Sequence, residues 1–417
     1  MRRQLAYILV LSAHVSCCGR TQMLPTPVPQ ANEQATFTIS AATPTIQHVV
    51  SPVLLKQKSE GAREFLKSAP VKEFACTIQK GKKKQKVSGR EIALAFLDPV
   101  TLEDHYATIG ICFSYSQETI TVLDGDFSIQ WLRGKGITHF AFEAQRNNVQ
   151  LVLLDSKHWM SETQRGEYYF PYTDDFLFME FVLDGGRFLL SQIRQAQEEL
   201  CALIVRSRTF PSQQLCEIFH DDMLLNIALI EQMDEDEFGN ACPQAETLPP
   251  QNRIFQNCAE YSVFKVLAHY ARNKHDAFRY AGSRMGAIGH MQFTRKTYLD
   301  IAINKYPEAK LMRDFETGAR DLKNSIKAAI CLLDYELSQM PTKIHQIFRL
   351  DYRAGGLYPA VAYNGGKNRA QCVFRQKRSG KQCRATRAAW KETAGYITKH
   401  QGIWHIINNL VSLLGQN

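Results

Sequence analysis

After its N-terminal segment the chain holds no apolar run of the about 20 residues that crossing a bilayer takes. Any hold on a membrane would therefore have to come from a lipid. There is no Cys-x-x-Cys and no His-x-x-x-His spacing, the arrangements that build structural zinc sites, and neither a metal nor a cofactor is expected. No internal repeat is evident, which sets aside solenoids and arrays. Acid is missing from Gly366 to Lys391, where Lys367, Arg369, Arg375, Lys377, Arg378, Lys381, Arg384, Arg387 and Lys391 make a wholly basic block. A block of one sign is a solvated face that attracts polyanions. Aromatics are not interleaved with it as they are in single-strand binders, so nucleic acid is set aside and another acidic polymer remains.

What is present is ordinary in bulk. The 417 residues are 45% hydrophobic and 22% charged, with a net charge of +9, which suits a soluble globular chain of two or three domains. The N-terminus is more specific. Met1-Arg-Arg-Gln is basic, Leu5 to Ala13 is apolar but short, and Val15-Ser16-Cys17-Cys18-Gly19 carries the small residues of a cleavage site. Residues 1–18 are expected to be an export signal of bacterial type. The cysteine pair resembles a lipoprotein box in which Cys17 would take the lipid, although His14 stands where that box has leucine. Export would place the protein in the periplasm, held at the outer membrane if Cys17 is acylated. In that oxidising compartment disulfides are expected. Local spacing suggests Cys242–Cys258, Cys372–Cys383, Cys201–Cys216 and Cys76–Cys112, leaving Cys331, in an apolar helical run, as a free thiol.

Residues 19–50, rich in Thr, Gln, Ala and Pro, read as an extended tether. Residues 51–165 read as a small β-rich module with one leading helix over Val53–Leu66. Its β-rich runs are Phe74–Ile78, Thr108–Tyr115, Thr119–Leu123, Phe127–Leu132, His139–Phe142 and Val149–Leu154. Asp124-Gly125-Asp126 and Gly134-Lys-Gly136 punctuate them, and Lys82-Lys83-Lys84 reads as a solvated hairpin or loop. Residues 166–417 turn helical: Arg187–Ser207 after Gly185-Gly186, Met223–Met233, Glu260–Asn273, Thr294–Asn304, Asp321–Gln339, Ala388–His400 and Trp404–Leu414. The fold class is α+β, a mainly helical C-terminal domain after the β-rich module.

Leu224 to Met233 is apolar nearly all round until Glu231, so the glutamate ends a buried helix. Burial and the negative end of the helix dipole both favour the protonated carboxyl, the state a general acid needs. In Ser283-Arg-Met-Gly286-Ala-Ile-Gly289-His-Met291-Gln292-Phe293, two glycines three apart let backbone approach a ligand closely, and Met-Gln offers an apolar surface and an amide. Ala362-Tyr363-Asn364-Gly365-Gly366, by itself a good turn, and Glu392-Thr393-Ala-Gly-Tyr396 follow. Together, in this order, these elements resemble lytic transglycosylases of the goose-lysozyme-like group, enzymes that cut the glycan strands of peptidoglycan. Ile227-Ala228-Leu229-Ile230-Glu231 is similar to the run that ends in their catalytic glutamate. Gln232 replaces the serine usual after it, His290 replaces a leucine, and the segment between Glu231 and Gly286 is longer than usual.

The resemblance implies a lysozyme-like helical domain acting on the MurNAc–GlcNAc bond, with Glu231 as the single acid and base. Ser283, Gly286, Gly289, Met291, Gln292, Tyr363, Asn364 and Tyr396 would line the sugar cleft. Around Cys242, Pro249-Pro250 and Cys258 the long segment would form a disulfide-pinned flap. Glu260 is the rival acid, although its place at the start of a helical run also explains a carboxylate. The run Asp234, Glu235, Asp236, Glu237 could activate water and make the protein a hydrolysing muramidase; a wall-binding protein without activity is the other reading.

Overall fold

The structure is a computed structural model describing residues 50–80, 83–113, 118–133, 141–160, 163–169, 179–233, 253–283, 285–379 and 387–414. The export signal, nearly all of the tether, Gly134-Lys-Gly136, the acidic run 234–237, Pro249-Pro250, Cys242 and Cys383 lie outside the described residues. Helix α1, Pro52–Ser68, starts where the Ser51 hydroxyl accepts the Leu54 amide at 3.3 Å, with Pro52 in its first turn. Its inner face is Leu55, Ser59, Ala62 and Leu66, a helical spacing.

Eight antiparallel strands follow: β1 Glu73–Lys80, β2 Lys83–Leu97, β3 Asp104–Phe113, β4 Glu118–Asp124, β5 Ser128–Arg133, β6 Ala141–Arg146, β7 Val149–Met160 and β8 Arg165–Tyr169. They form one curled sheet of order β4-β3-β2-β7-β6-β5, with β1 beside β2 and β8 beside β7. Strand β2 is the organiser. Its first half pairs with β1, and its second half lies between β3 and β7. There alternate side chains enter two cores: Ile92, Leu94 and Phe96 fill the sheet's own concave face, while Ala93, Ala95 and Leu97 lie beneath α1. A strand covered on both faces loses the apolar–polar alternation. That is why residues 92–97 give no strand signal in the sequence, whereas Lys83, paired with Lys80, starts β2 at the β1–β2 hairpin as expected of that run.

The helical part comprises α2 Met179–Ala202, α3 Asp221–Ile230, α4 Arg253–Asn273, a two-residue hairpin pair β9 Ala287–Ile288 and β10 Phe293–Thr294, and α5 Arg295–Leu299. After these come α6 Phe315–Arg320, α7 Leu322–Ser338, α8 Thr342–Leu350, α9 Tyr352–Gly365, α10 Lys367–Ser379, α11 Arg387–Gly402 and α12 Trp404–Leu414. Three expectations change. Gly185-Gly186 lie inside α2 instead of before it, because a Cβ on Gly185 would meet the Leu267 carbonyl oxygen of α4 at 1.9 Å and glycine alone permits that crossing. The run expected as one helix over Thr294–Asn304 is the short α5 followed by a π turn at Asp300–Lys305. Helices α6, α8, α9 and α10 are not expected from the sequence, and Tyr363-Asn364-Gly365 closes α9 instead of forming a free turn.

Sheet and helices share one core, in which Phe181 of α2 and Ala268 and Ala271 of α4 pack with α1 and β2. At its centre Arg63 forks onto buried Asp155 of β7 at 2.6 and 3.1 Å and reaches the Arg272 carbonyl and Asn273 of α4. Cys76–Cys112 ties β1 to β3 and Cys201–Cys216 closes the end of α2, two of the four pairings that spacing suggested. Loops of 36 and 15 residues give about 4 and about 3 kcal/mol in the chain-entropy picture. Cys258 and Cys372 are also disulfide-bonded; their expected partners lie outside the described residues. Cys331 is a buried free thiol. No helix among the described residues is long and apolar enough to cross a membrane.

Candidate active site

Every residue of α3 from Met223 to Ile230 is buried, which follows from a sequence apolar nearly all round, with Asn226 the polar exception. The helix is pinned to α11 by Asn226, whose amide donates to the His400 carbonyl at 3.0 Å. Glu231 caps its C-terminus and keeps partial exposure. The Tyr396 hydroxyl of α11 donates to Glu231 Oε1 at 2.9 Å. Burial lifts the Glu231 carboxyl to about 7, against the pull of the Tyr396 hydrogen bond and of the Lys399 ammonium. Near neutral pH the group is therefore divided between acid and carboxylate, the condition for giving a proton and taking one back.

The next residue sets the opposite wall. Gln232 is buried, and its amide donates to the carbonyls of Gly289 and His290 at 3.2 and 2.5 Å. This fastens the turn bearing Glu231 to the β9–β10 hairpin, and it gives the residue standing in place of serine a defined task. The hairpin pairs Phe293 with Ile288 and Thr294 with Ala287. Ser283 organises its outer turn, its hydroxyl accepting the amides of Met285 and Ala287 at 3.3 and 3.1 Å. Gly286 and Gly289 have φ of 77° and 75°, a region costly for other residues. Gly286 has open space around it. A Cβ on Gly289 would lie 1.9 Å from the Ala319 carbonyl oxygen. Gln292, also at positive φ (47°), donates its amide to the Gly289 carbonyl at 2.8 Å, and Met291 is buried beneath.

Tyr363 of α9 donates its hydroxyl to the Met291 carbonyl at 2.6 Å, and its ring meets Phe293 edge-on at 5.8 Å. Burial and the Glu231 charge push that phenol well above its ordinary range. The hydroxyl bonded to the acid is thus that of Tyr396, while Tyr363 braces the hairpin. Beside it, the buried Oδ1 of Asn364 has no hydrogen-bond partner among the described residues, an acceptor that they leave unfilled. Glu260 faces His405 of α12 at 3.8 Å, so the rival glutamate has a different partner from Glu231. His290 is a core residue, buried against Tyr270 at 6.2 Å and lowered to about 3 by burial, hence neutral.

No protein-family model, curated protein or solved structure matches this chain. The site stands on its own geometry, which brings Glu231, Tyr396, Tyr363 and the hairpin together across α3, α11, α9 and residues 283–294.

Three residues here were not read from the sequence. Lys399 is buried one turn beyond Tyr396, and its ammonium donates to the Met233 carbonyl at 3.4 Å. Met285, at the hairpin tip, is an apolar side chain 86% exposed. Glu336 of α7 is a second carboxyl lifted to about 7 by burial, against the pull of Lys367. Its only sequence signal was an acid within an apolar helical run. Among the described residues no group of three or more His, Cys, Asp or Glu is placed to hold a metal ion.

Proposed function

We propose that this protein is a peptidoglycan lytic transglycosylase, cutting the MurNAc–GlcNAc bond and leaving 1,6-anhydro-MurNAc ends. One observation carries the reading. Glu231, lifted to about 7 and held by a single tyrosine hydroxyl, stands next to the residue that fastens the glycine hairpin. Protonated Glu231 gives its proton to the glycosidic oxygen as the C1–O4 bond breaks, and GlcNAc leaves with a free 4-hydroxyl. The carboxylate then takes the proton of the muramic acid 6-hydroxyl as O6 closes onto C1. Glu231 ends as it began, and no water is consumed.

A hydrolysing mechanism needs a second carboxylate to activate water; the acidic run 234–237, the candidate for that role, lies outside the described residues. The rest of the chain fits a wall enzyme. An export signal, a tether and a lipid at Cys17 would hold it in the periplasm within reach of the glycan, and the basic block would attract that acidic polymer.

Glu231→Gln keeps the acceptor for Tyr396 and removes the proton. Clearing of purified sacculi is expected to fall by about 10²–10⁴-fold. Clearing at the wild-type rate would reject Glu231. A wild type that binds sacculi without clearing them would identify a wall-binding protein instead.

A further inference from the structure

We propose that Lys399 is a positioning residue for Glu231: its buried ammonium holds the turn that follows α3 and balances the carboxylate formed when Glu231 has given up its proton. The inference rests on the reading of Glu231 as the acid.

The geometry has three parts. Lys399 lies three residues after Tyr396 on α11, so the two side chains share one face of the helix. Its Nζ donates to the Met233 carbonyl, two residues beyond Glu231 and within the turn whose carbonyls have no helical partner. Its side chain is also buried, so its charge acts over a longer range than it would in water. Around Glu231, α11 contributes Tyr396 and Lys399, and α9 contributes Tyr363. The hairpin contributes the neutral His290, and among the described residues no charged group of α2, α4 or α12 acts on it.

The chemistry needs such a group. Between protonating the leaving oxygen and accepting the 6-hydroxyl proton, Glu231 is an anion with little water around it, at the negative end of a helix dipole. Tyr396 alone would hold that anion by one hydrogen bond. Lys399 adds a fixed positive charge without exchanging a proton with substrate, and it keeps Glu231 from rising beyond reach of neutral pH. Removing the ammonium should lift Glu231 further, so the protonated enzyme persists to higher pH while the anionic step slows.

The test compares Lys399→Met, Lys399→Gln and Lys399→Arg in the full chain, with soluble glycan strands as substrate. Met and Gln are expected to move the alkaline limb of kcat upward by about one pH unit or more and to lower kcat at the optimum with KM nearly unchanged. Arg should restore the wild-type limb. Gln still offers a donor to the Met233 carbonyl, so it separates charge from hydrogen bond. A Gln variant with the wild-type pH profile would overturn the counter-charge, as would an Arg variant displaced as far as Met. Titration of the Glu231 carboxyl by ¹³C NMR reads the same displacement without turnover. An inactive wild type would therefore count against the proposed function, while an unmoved Glu231 in the Gln variant would count against Lys399.

Discussion

Asp155, where the sheet meets the helices, is fully buried and Glu231, at the end of α3, is partly exposed, and the two carboxyls are held very differently. Asp155 lies under the Arg63 fork and also accepts the Ser156 amide at 2.8 Å. Burial pushes it up and Arg63 pulls it down; burial lowers Arg63 and Asp155 raises it. With two contacts of 2.6 and 3.1 Å, the pair is ionised and saturated. Among the described residues Glu231 receives one hydroxyl and feels the charge of Lys399, and it sits at about 7. A carboxylate whose lone pairs are filled by an arginine fork is a fastening. One given too few donors for its burial remains free to exchange a proton. The difference in partners, more than in burial, sets the two carboxyls apart.

Breaking the saturated pair should have the largest effect. Arg63→Met leaves Asp155 buried without its fork, a loss of about 3–5 kcal/mol, measured as a fall in the denaturant midpoint at pH 7. A midpoint within experimental error of wild type would mean that the junction is not held there.

Glu231→Gln should act in the opposite direction. The folded carboxyl is raised from 4.5 to about 7, so its contribution is fully present below pH 4.5 and is lost as pH rises through 7. Allowing for partial exposure, the variant should be more stable than wild type by about 2–3 kcal/mol at pH 9 and equal to it at pH 4. Parallel stability curves across that range would contradict the raised carboxyl. The smallest effect belongs to Gly286→Ala, where only the positive φ is strained and no neighbour intervenes. A cost of about 1 kcal/mol is expected by thermal melting, whereas Gly289→Ala must also displace the Ala319 carbonyl and should cost more.

Much of this contrast was legible in the sequence on the cleft side. Leu224 to Ile230 is apolar on nearly every face, Asn226 excepted, which announces burial and makes the glutamate at its end conspicuous. The glycine pair likewise occupies two positive-φ positions. What escaped reading was whatever depends on distant partners. Tyr363 and Met291 meet across 72 residues, and Gln232 reaches Gly289 across 57. Which hydroxyl serves the acid therefore could not be decided locally. Lys399 reads as a surface lysine because lysine on a helix almost always is one. Strand β2 lost its alternation by being buried on both faces, and the Arg63–Asp155 pair, 92 residues apart, left no local trace.

The most direct test is the product. Wild-type protein digesting purified sacculi in H₂¹⁸O, with the soluble fragments read by mass spectrometry, should yield MurNAc ends in the 1,6-anhydro form and no incorporated ¹⁸O. Reducing MurNAc ends carrying ¹⁸O would contradict the transfer to the 6-hydroxyl and make the protein a hydrolase.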